Sequence, residues 1–395
     1  MKRIVILLLI MLTGLAGGCW SRKEIMEVAV VLGTGVDQAA DGRIRLTVQI
    51  ARTEAFAGGA EAGAGGRAPA SWVVCAEGKT IQEAERYLAM KVPRDIYWGH
   101  CVILVIGEAV ARKGTGMVTN FFHRDRQPRE TMWLMVAKGE AKAFLETYSA
   151  LAKTSAQAAG FLTRMRTGYS VQLREFAEML ASRGIQPAAT AVAVKEAGVT
   201  PEPKGQNGSS PIKQVVLSGA AVFKEDKLIG WLDTYETRGL LWLKGEAMQG
   251  VITVPSPDEP QRLVSIRIRR GRTKVLSEYD GESVRFTVQI KVEGDLMEQQ
   301  SREDLAKPEK IKTLEKEMAG EVKRRAAVAL DKAQGEYGAD VFGFGEAFHR
   351  QHKKEWRKLK ERWDEEFARA EVDLAVEASI RGIGLLTKRA GVPEE

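Results

Sequence analysis

Three groups of residues have types and spacings that could do chemistry. The first is Cys19, which follows the small-residue exit Leu15-Ala16-Gly17-Gly18 of the apolar run Ile4 to Leu12, itself headed by Lys2 and Arg3. A basic head, a short apolar middle and small residues before a cleavage point are the parts of an export signal, so residues 1–18 read as a lipoprotein signal peptide and Cys19 as the lipidation site. The second is His349 and His352 with Glu346 and Glu355 close by. They could hold a metal if all faced one way, but three-residue histidine spacing is not that of the zinc helix and nothing is compelled to supply a third ligand, so no metal site is assigned. The third is Gly33-Thr34-Gly35. A phosphate loop would need a further glycine and a helix opening there, so no cofactor site is assigned. No serine stands in a nucleophile elbow and no cysteine has an evident histidine partner, which leaves the chain without catalytic residues.

Length and charge narrow the classes further. The 395 residues exceed what one hydrophobic core supports, so two to three domains are expected. The formal charge is +7, two of the positive charges being Lys2 and Arg3 of the leader. After the leader no segment is long and apolar enough to span a bilayer. One acyl chain holds a protein at a membrane marginally and two or more hold it stably, so a lipidated Cys19 confines the chain to a membrane surface. Cys75 and Cys101 stand in strand-like contexts outside any metal spacing and read as small apolar residues, with a disulfide between them as the alternative in an exported chain. Arg267, Arg269, Arg270, Arg272 and Lys274 crowd one hairpin. No stacking aromatics are interleaved, so this reads as a solvated face, with anionic lipid as one surface it could meet, and no nucleic acid is expected as a partner.

The elements that position these residues alternate. A continuous β-branched run at 28–37 reads as a buried strand, and 43–52 alternates as a strand with one wet face, the two joined by Asp41-Gly42. Residues 56–70 form a glycine- and alanine-rich excursion. Thr80 and Glu83 make a capping box for a helix to residue 90. Strands at 96–106 and 131–136, and helices ending near Pro128 and over 140–149, 156–165 and 171–182, follow, the last closed by Gly184. This gives an α/β domain over 19–195. Residues 196–214 carry Pro201, Pro203, Gly205, Asn207, Gly208 and Pro211 with no apolar period, the composition of a linker. Beyond it come strands at 215–223 and 227–232, a helix capped by Asp233 and Glu236, a meander at 264–270, 273–278 and 284–292, and a helix over 310–332. Gly343 and Gly345 beside phenylalanines mark a tight backbone crossing. Trp356, Leu359, Trp363 and Phe367 recur at helical spacing before a closing strand. Residues 215–392 are an α+β domain, open to subdivision. The fold class is thus α+β, of mixed α/β sheets with packed helices.

Leu15 to Cys19 resembles the bacterial lipobox, whose thiol becomes a thioether anchor for diacylglycerol. Cys19-Trp20, Glu24-Ile25, Gly33-Thr34-Gly35-Val36-Asp37, Val105-Ile106-Gly107-Glu108 and Val136-Ala137-Lys138-Gly139 resemble the Ger(x)C spore germination lipoproteins. So do Ser218 to Phe223, Glu236-Thr237-Arg238-Gly239 with Leu241-Trp242, and Asp340 to Glu346 followed by His349-Arg350 and Glu355-Trp356. The resemblance implies the C subunit of a nutrient germinant receptor, without catalysis, anchored through Cys19 in membrane lipid on the outer face of the spore inner membrane, beside an A and a B subunit. Gly219, Glu236, Arg238, Gly239, Gly343, Gly345, Glu346 and Trp356 are the candidate structural motif residues. A lipid-anchored hydrolase or ligand-capturing lipoprotein is the alternative class.

Overall fold

The computed structural model describes residues 25–52, 70–147, 149, 151–201 and 209–383. The leader, Cys19, the excursion at 56–69 and the chain beyond residue 383 lie outside the described residues.

The first sheet contains β1 (Val28–Gln38), β2 (Ile44–Ala51), β3 (Ser71–Gly78), β4 (Asp95–Tyr97), β5 (Ile103–Gly107), β6 (Trp133–Ala137), β7 (Ala188–Pro201), β8 (Ser209–Lys224) and β9 (Lys227–Leu232). Its order is β3-β2-β1-β5-β6-β7-β8-β9, with β4 beside the start of β1. β1, β5, β6 and β7 run parallel. The helices between them are α1 (Ile81–Ala89), α2 (Glu108–Lys113), α3 (Gly116–Arg124), α4 (Ala141–Glu146), α5 (Ser155–Arg164) and α6 (Leu173–Ala181). Parallel strands covered on both faces read as unbroken apolar runs, and β5 obeys this. Ile103 and Val105 pack with α4 and α5, whereas Leu104 and Ile106 pack with α1, α2, α3 and α6.

Two expectations for this sheet need correction. The strand expected over 96–106 is broken, because Trp98 turns inward between β4 and β5, buried, with its indole donating to Glu85 at 2.9 Å. Of the linker expected over 196–214, the described residues 196–201 and 209–214 are strand instead: β7 and β8 pair antiparallel from Ala188 opposite Val222 to Pro201 opposite Ser209. β6 pairs with β7 only at 190–192, so beyond that point the ribbon has left its sheet neighbour. Lys195, Glu196 and Lys213 are exposed there, and a ribbon wet on both faces has no apolar period for a sequence reading to find.

The second sheet has the order β10-β11-β12-β13, with β10 (Val251–Pro255), β11 (Leu263–Tyr279), β12 (Val284–Gln299) and β13 (Glu371–Gly382). β11 is a single strand with a bulge near Ile268, where the sequence suggested two, and β13 returns parallel to β12. The remaining helices are α7 (Thr234–Lys244), α8 (Pro308–Asp331), α9 (Phe344–Gln351), α10 (Lys353–Leu359) and α11 (Trp363–Arg369). They cover one face of the sheet, into which Phe286, Val288, Ile290 and Val292 point. The other face is charged, with cross-strand ion pairs Arg285–Glu371 at 2.9 Å, Lys291–Glu377 at 2.8 Å and Glu293–Arg381 at 2.9 Å. One continuous buried cluster runs through both sheets, so the molecule is an α+β fold with a shared core.

α7 crosses α8 at Gly239. A Cβ there would lie 2.0 Å from the Arg325 carbonyl oxygen and 2.7 Å from the Ala329 Cβ. Alanine gains up to about 1 kcal/mol over glycine from helix propensity, while overpacking against backbone costs about 1–3 kcal/mol, so the clash wins. Gly239→Ala is expected to lower the thermal midpoint. Gly320→Ala in α8, whose Cβ would meet nothing nearer than an Arg324 nitrogen at 3.6 Å, is expected to raise it. Thermal unfolding of both variants checks the pair.

Candidate functional site

The segment Asp340 to Glu346 lies where the two sheets meet, and it is organised around the Asp340 carboxylate. That group is fully buried. One oxygen accepts from the amides of Phe342 at 3.1 Å, Gly343 at 2.9 Å and Phe344 at 3.1 Å, and the other from Gly345 N at 2.7 Å and the Trp363 indole at 3.0 Å. Successive amides can only converge this way if the chain bends back, and Gly343 supplies the bend with a left-handed φ of 82°. Burial pushes the Asp340 carboxyl above its ordinary range, and the bonds from Gly345, Trp363, Phe344 and Gly343 pull it the other way. The glycine pair that could cradle an external anion is therefore filled by the protein's own carboxylate.

The loop also binds across the chain. Gln186 N donates to the Asp340 carbonyl at 2.7 Å, and Glu346 N donates to the Gly184 carbonyl at 3.1 Å. A Cβ on Gly345 would sit 2.5 Å from the Trp363 indole nitrogen and 2.8 Å from the Gly184 Cα. Gly184 is thus required for backbone approach and is not the helix cap the sequence suggests, since α6 ends on an extended Ser182. The Glu346 carboxylate accepts from Ser182 Oγ at 3.1 Å. Trp356 is buried against Trp363, centroids 5.2 Å apart.

The other motif residues also close interior contacts. Gly219 has φ 124°, and a Cβ there would lie 2.0 Å from the Leu232 carbonyl oxygen. Glu236 completes a capping box with Asp233 and accepts from Lys332 Nζ at 2.9 Å, joining α7 to the end of α8. The Arg238 guanidinium donates to the Gln249 carbonyl, and burial and the nearby Arg325 push its pKa down. In the first sheet Asp37, 2% exposed, accepts from Ala141 N at 2.7 Å and Lys142 N at 2.8 Å, capping α4. A Cβ on Gly107 would fall 2.0 Å from its Oδ1. A Cβ on Gly33 would fall 2.8 Å from the Ala156 Cβ, and one on Gly35 2.9 Å from the Ala141 Cβ of the covering helices, so Gly33-Thr34-Gly35 is strand-to-helix packing.

The chemistry expected of the remaining candidates can be placed. His352 Nε2 donates to the Ser277 carbonyl at 2.9 Å and its ring stacks on Phe348, whereas His349 stacks on Trp356. Among the described residues no group of three His, Cys, Asp or Glu side chains stands where it could hold a metal ion. Cys75 and Cys101 are free thiols, Cys75 half-buried and Cys101 buried, and burial pushes the Cys101 thiol up to about 12. A cleft of about 470 Å³ beside the loop is lined by Ser182, Arg183, Glu346, His349, Arg350 and Lys360 among others. Ser182 is bonded there to a carboxylate and not to an imidazole. Asp340, Asp37, Gly107, Gly184 and Trp363 are the residues sequence reasoning missed as site residues. An aspartate just ahead of a glycine-rich turn was the available signal for Asp340.

Two family models match the chain: residues 21–194 match the spore germination protein N-terminal domain, and residues 218–384 match spore germination B3/GerAC like, C-terminal. The chain belongs to the Ger(x)C family of spore germination proteins. It is 28% identical to the spore germination protein YndF of Bacillus subtilis, over 96% of each chain. It is 26% identical to the spore germination protein KC of the same organism, over 93% of this chain and 92% of that one. The crystal structure of the GerBC protein shares the fold, with a TM-score of 0.52 and 22% identity over 88% of this chain and 96% of that one. Seen in this family member, the motif residues form an interior frame.

Two substitutions test the frame. Asp340→Asn keeps the shape but presents an amide where buried donors expect an oxygen, at about 1–3 kcal/mol per unsatisfied group. It is expected to lower stability by about 2 kcal/mol or more in denaturant unfolding. Gly345→Val is expected to lower the thermal midpoint through a clash of about 1–3 kcal/mol with Trp363. An unchanged midpoint for either, with loss of a bound anion instead, would contradict the interior reading.

Proposed function

We propose that this chain is a lipid-anchored, non-catalytic subunit of a spore nutrient germinant receptor, needed for receptor assembly or signalling. In this reading Cys19 carries the lipid and the folded part stands on the extracytoplasmic face of the spore inner membrane. The partners are the A and B subunits of the receptor. The observation that carries the reading is the destination of the motif residues. Gly219, Glu236, Arg238, Gly239, Gly343 and Gly345 each close a contact inside the protein, while Glu346 and Trp356 of the same set also line the cleft beside Asp340.

The comparisons support the same reading. Relatives that carry the names spore germination proteins B3 and A3 match more than nine-tenths of this chain. No helix among the described residues is long and apolar enough to cross a membrane, and attachment in this reading rests on Cys19. The alternative, a hydrolase, needs a nucleophile beside a base. Ser182, in the cleft beside Asp340, donates to Glu346.

In a spore former, deletion of the gene is expected to abolish germination toward part of a nutrient panel while spores still form. Cys19→Ala is expected to move the chain from the membrane to the soluble fraction and to reproduce that defect. Fractionation that finds the variant still membrane-bound without the A and B subunits contradicts the anchoring, and unchanged nutrient germination in the deletion strain contradicts the receptor role.

A further inference from the structure

The start of β1 and the C-terminal helices lie at one edge of the first sheet. β1, β5, β6 and β7 are parallel and neighbours in that order, so their beginnings share an edge. Three strand spacings put the start of β7 about 15 Å across from Gly33 of β1, and Val28 begins about 17 Å further out on the same edge. The loop that leads into β7 is bonded to the C-terminal helices, through Gln186 N to the Asp340 carbonyl and Gly184 to Glu346 N. The turn after β8 joins them too, with Lys224 Nζ 3.4 Å from Asp364. On this edge α9 ends and α10 begins with Arg350, Lys353, Lys354, Arg357 and Lys358, all exposed. Among the described residues none of these five makes an ion pair or side-chain hydrogen bond. Of the acids nearby, Glu361 faces Arg183 and Lys360 and Glu366 faces Arg362, while Glu355 stands among the five on α10 and leaves the side with an excess of positive charge. Trp356 and Leu359 hold the inner side of α10 in the core, so the charged side is fixed outward.

We infer that this basic side of α9 and α10 is a membrane-facing surface that rests on anionic lipid headgroups and sets the orientation of the protein. The inference rests on the anchoring proposed above in one respect, the position of Cys19. Five residues separate Cys19 from Ile25, where the described chain begins, and extended chain spans at most about 20 Å over those six steps. The edge that carries the basic side is therefore held near the bilayer. Lysines and arginines at an anionic surface each contribute roughly fivefold to binding, an attraction that salt screens. The arginine-rich strand β11 is the competing surface. Its residues Arg267 and Arg269 share Asp295 at 3.9 and 3.6 Å, and it lies on the open face of the second sheet.

The test uses the mature chain from residue 19 with Cys19→Ser, which retains every described element and carries no lipid, so its readout does not depend on lipidation. Flotation is measured with vesicles of phosphatidylcholine alone and of phosphatidylcholine with phosphatidylglycerol. The expected result is binding to the second vesicles only, weakened by added salt. Lys353→Gln, Lys354→Gln, Arg357→Gln and Lys358→Gln together are expected to weaken it more than about a hundredfold. Lys353→Arg, Lys354→Arg and Lys358→Arg together are expected to keep it, as are Arg270→Gln, Arg272→Gln and Lys274→Gln on β11. Absence of flotation with the anionic vesicles overturns the inference and assigns the basic side to an acidic protein surface. Equal binding to both vesicles, or a loss that follows the β11 variant and not the α10 variant, also overturns it. Failure of the anchoring reading would appear separately, as membrane retention of Cys19→Ala in cells.

Discussion

A buried carboxylate is costly unless donors satisfy it, and the Asp340 carboxylate has five of them within hydrogen-bond distance. Four are amides of its own loop, so the charge dictates the course of the backbone from Phe342 to Gly345. The fifth is the indole of Trp363, which fixes α11 against the loop. Trp363 in turn stacks on Phe348 at 5.5 Å and meets Phe286 of β12 edge-on at 6.3 Å. The backbone carbonyl of the same aspartate receives Gln186, whose side chain donates to Asp364 at 3.0 Å and accepts from Glu225 N at 2.7 Å. One residue thereby joins the entrance to β7, the turn between β8 and β9, and the helices of the second sheet. The shared hydrophobic core supplies the bulk of the free energy, and this polar knot fixes how the two sheets are set against each other.

Such an arrangement bears on what the family motifs are for. Glycines followed by charged residues suggest ligand loops, yet here the space a ligand would need is occupied by carbonyls, methyl groups and indole rings of the chain itself. Capping boxes and close helix crossings hold α7 and α8 over the second sheet.

The sequence made some of this legible. The N-cap at Thr80, the capping box at Asp233 and the stripe of α8 are local patterns, and the structure contains each of them. The wet face expected of β2 is instead covered by α4 and α5, with Thr47 and Gln49 buried and the Gln49 amide donating to the Leu145 carbonyl and Ser155 Oγ. The close packing around Gly345 was also readable, because glycines between phenylalanines leave few other uses. The rest depended on distant partners. The hairpin of β7 and β8 leaves its neighbour β6 and becomes polar on both faces, which in one dimension looks like a linker. Gly184 stands where a helix cap would, and only its contact with Gly345 gives its reason. Asp37 and Asp340 look like loop acids until the amides that surround them are known, and for Asp37 those amides are more than a hundred residues away. Trp98 breaks a continuous apolar run by turning into the core, which no periodicity reports.

The most direct measurement of the central claim is native-state hydrogen exchange at the amides of Phe342, Gly343, Phe344 and Gly345. If the Asp340 carboxylate holds the two sheets together, these amides exchange only through global unfolding, with protection equal to that of the core strands β5 and β12 and unaltered by added phosphate. Exchange through local opening, far faster than in those strands and slowed by phosphate, would mean that the loop is an open anion cradle and would contradict the account.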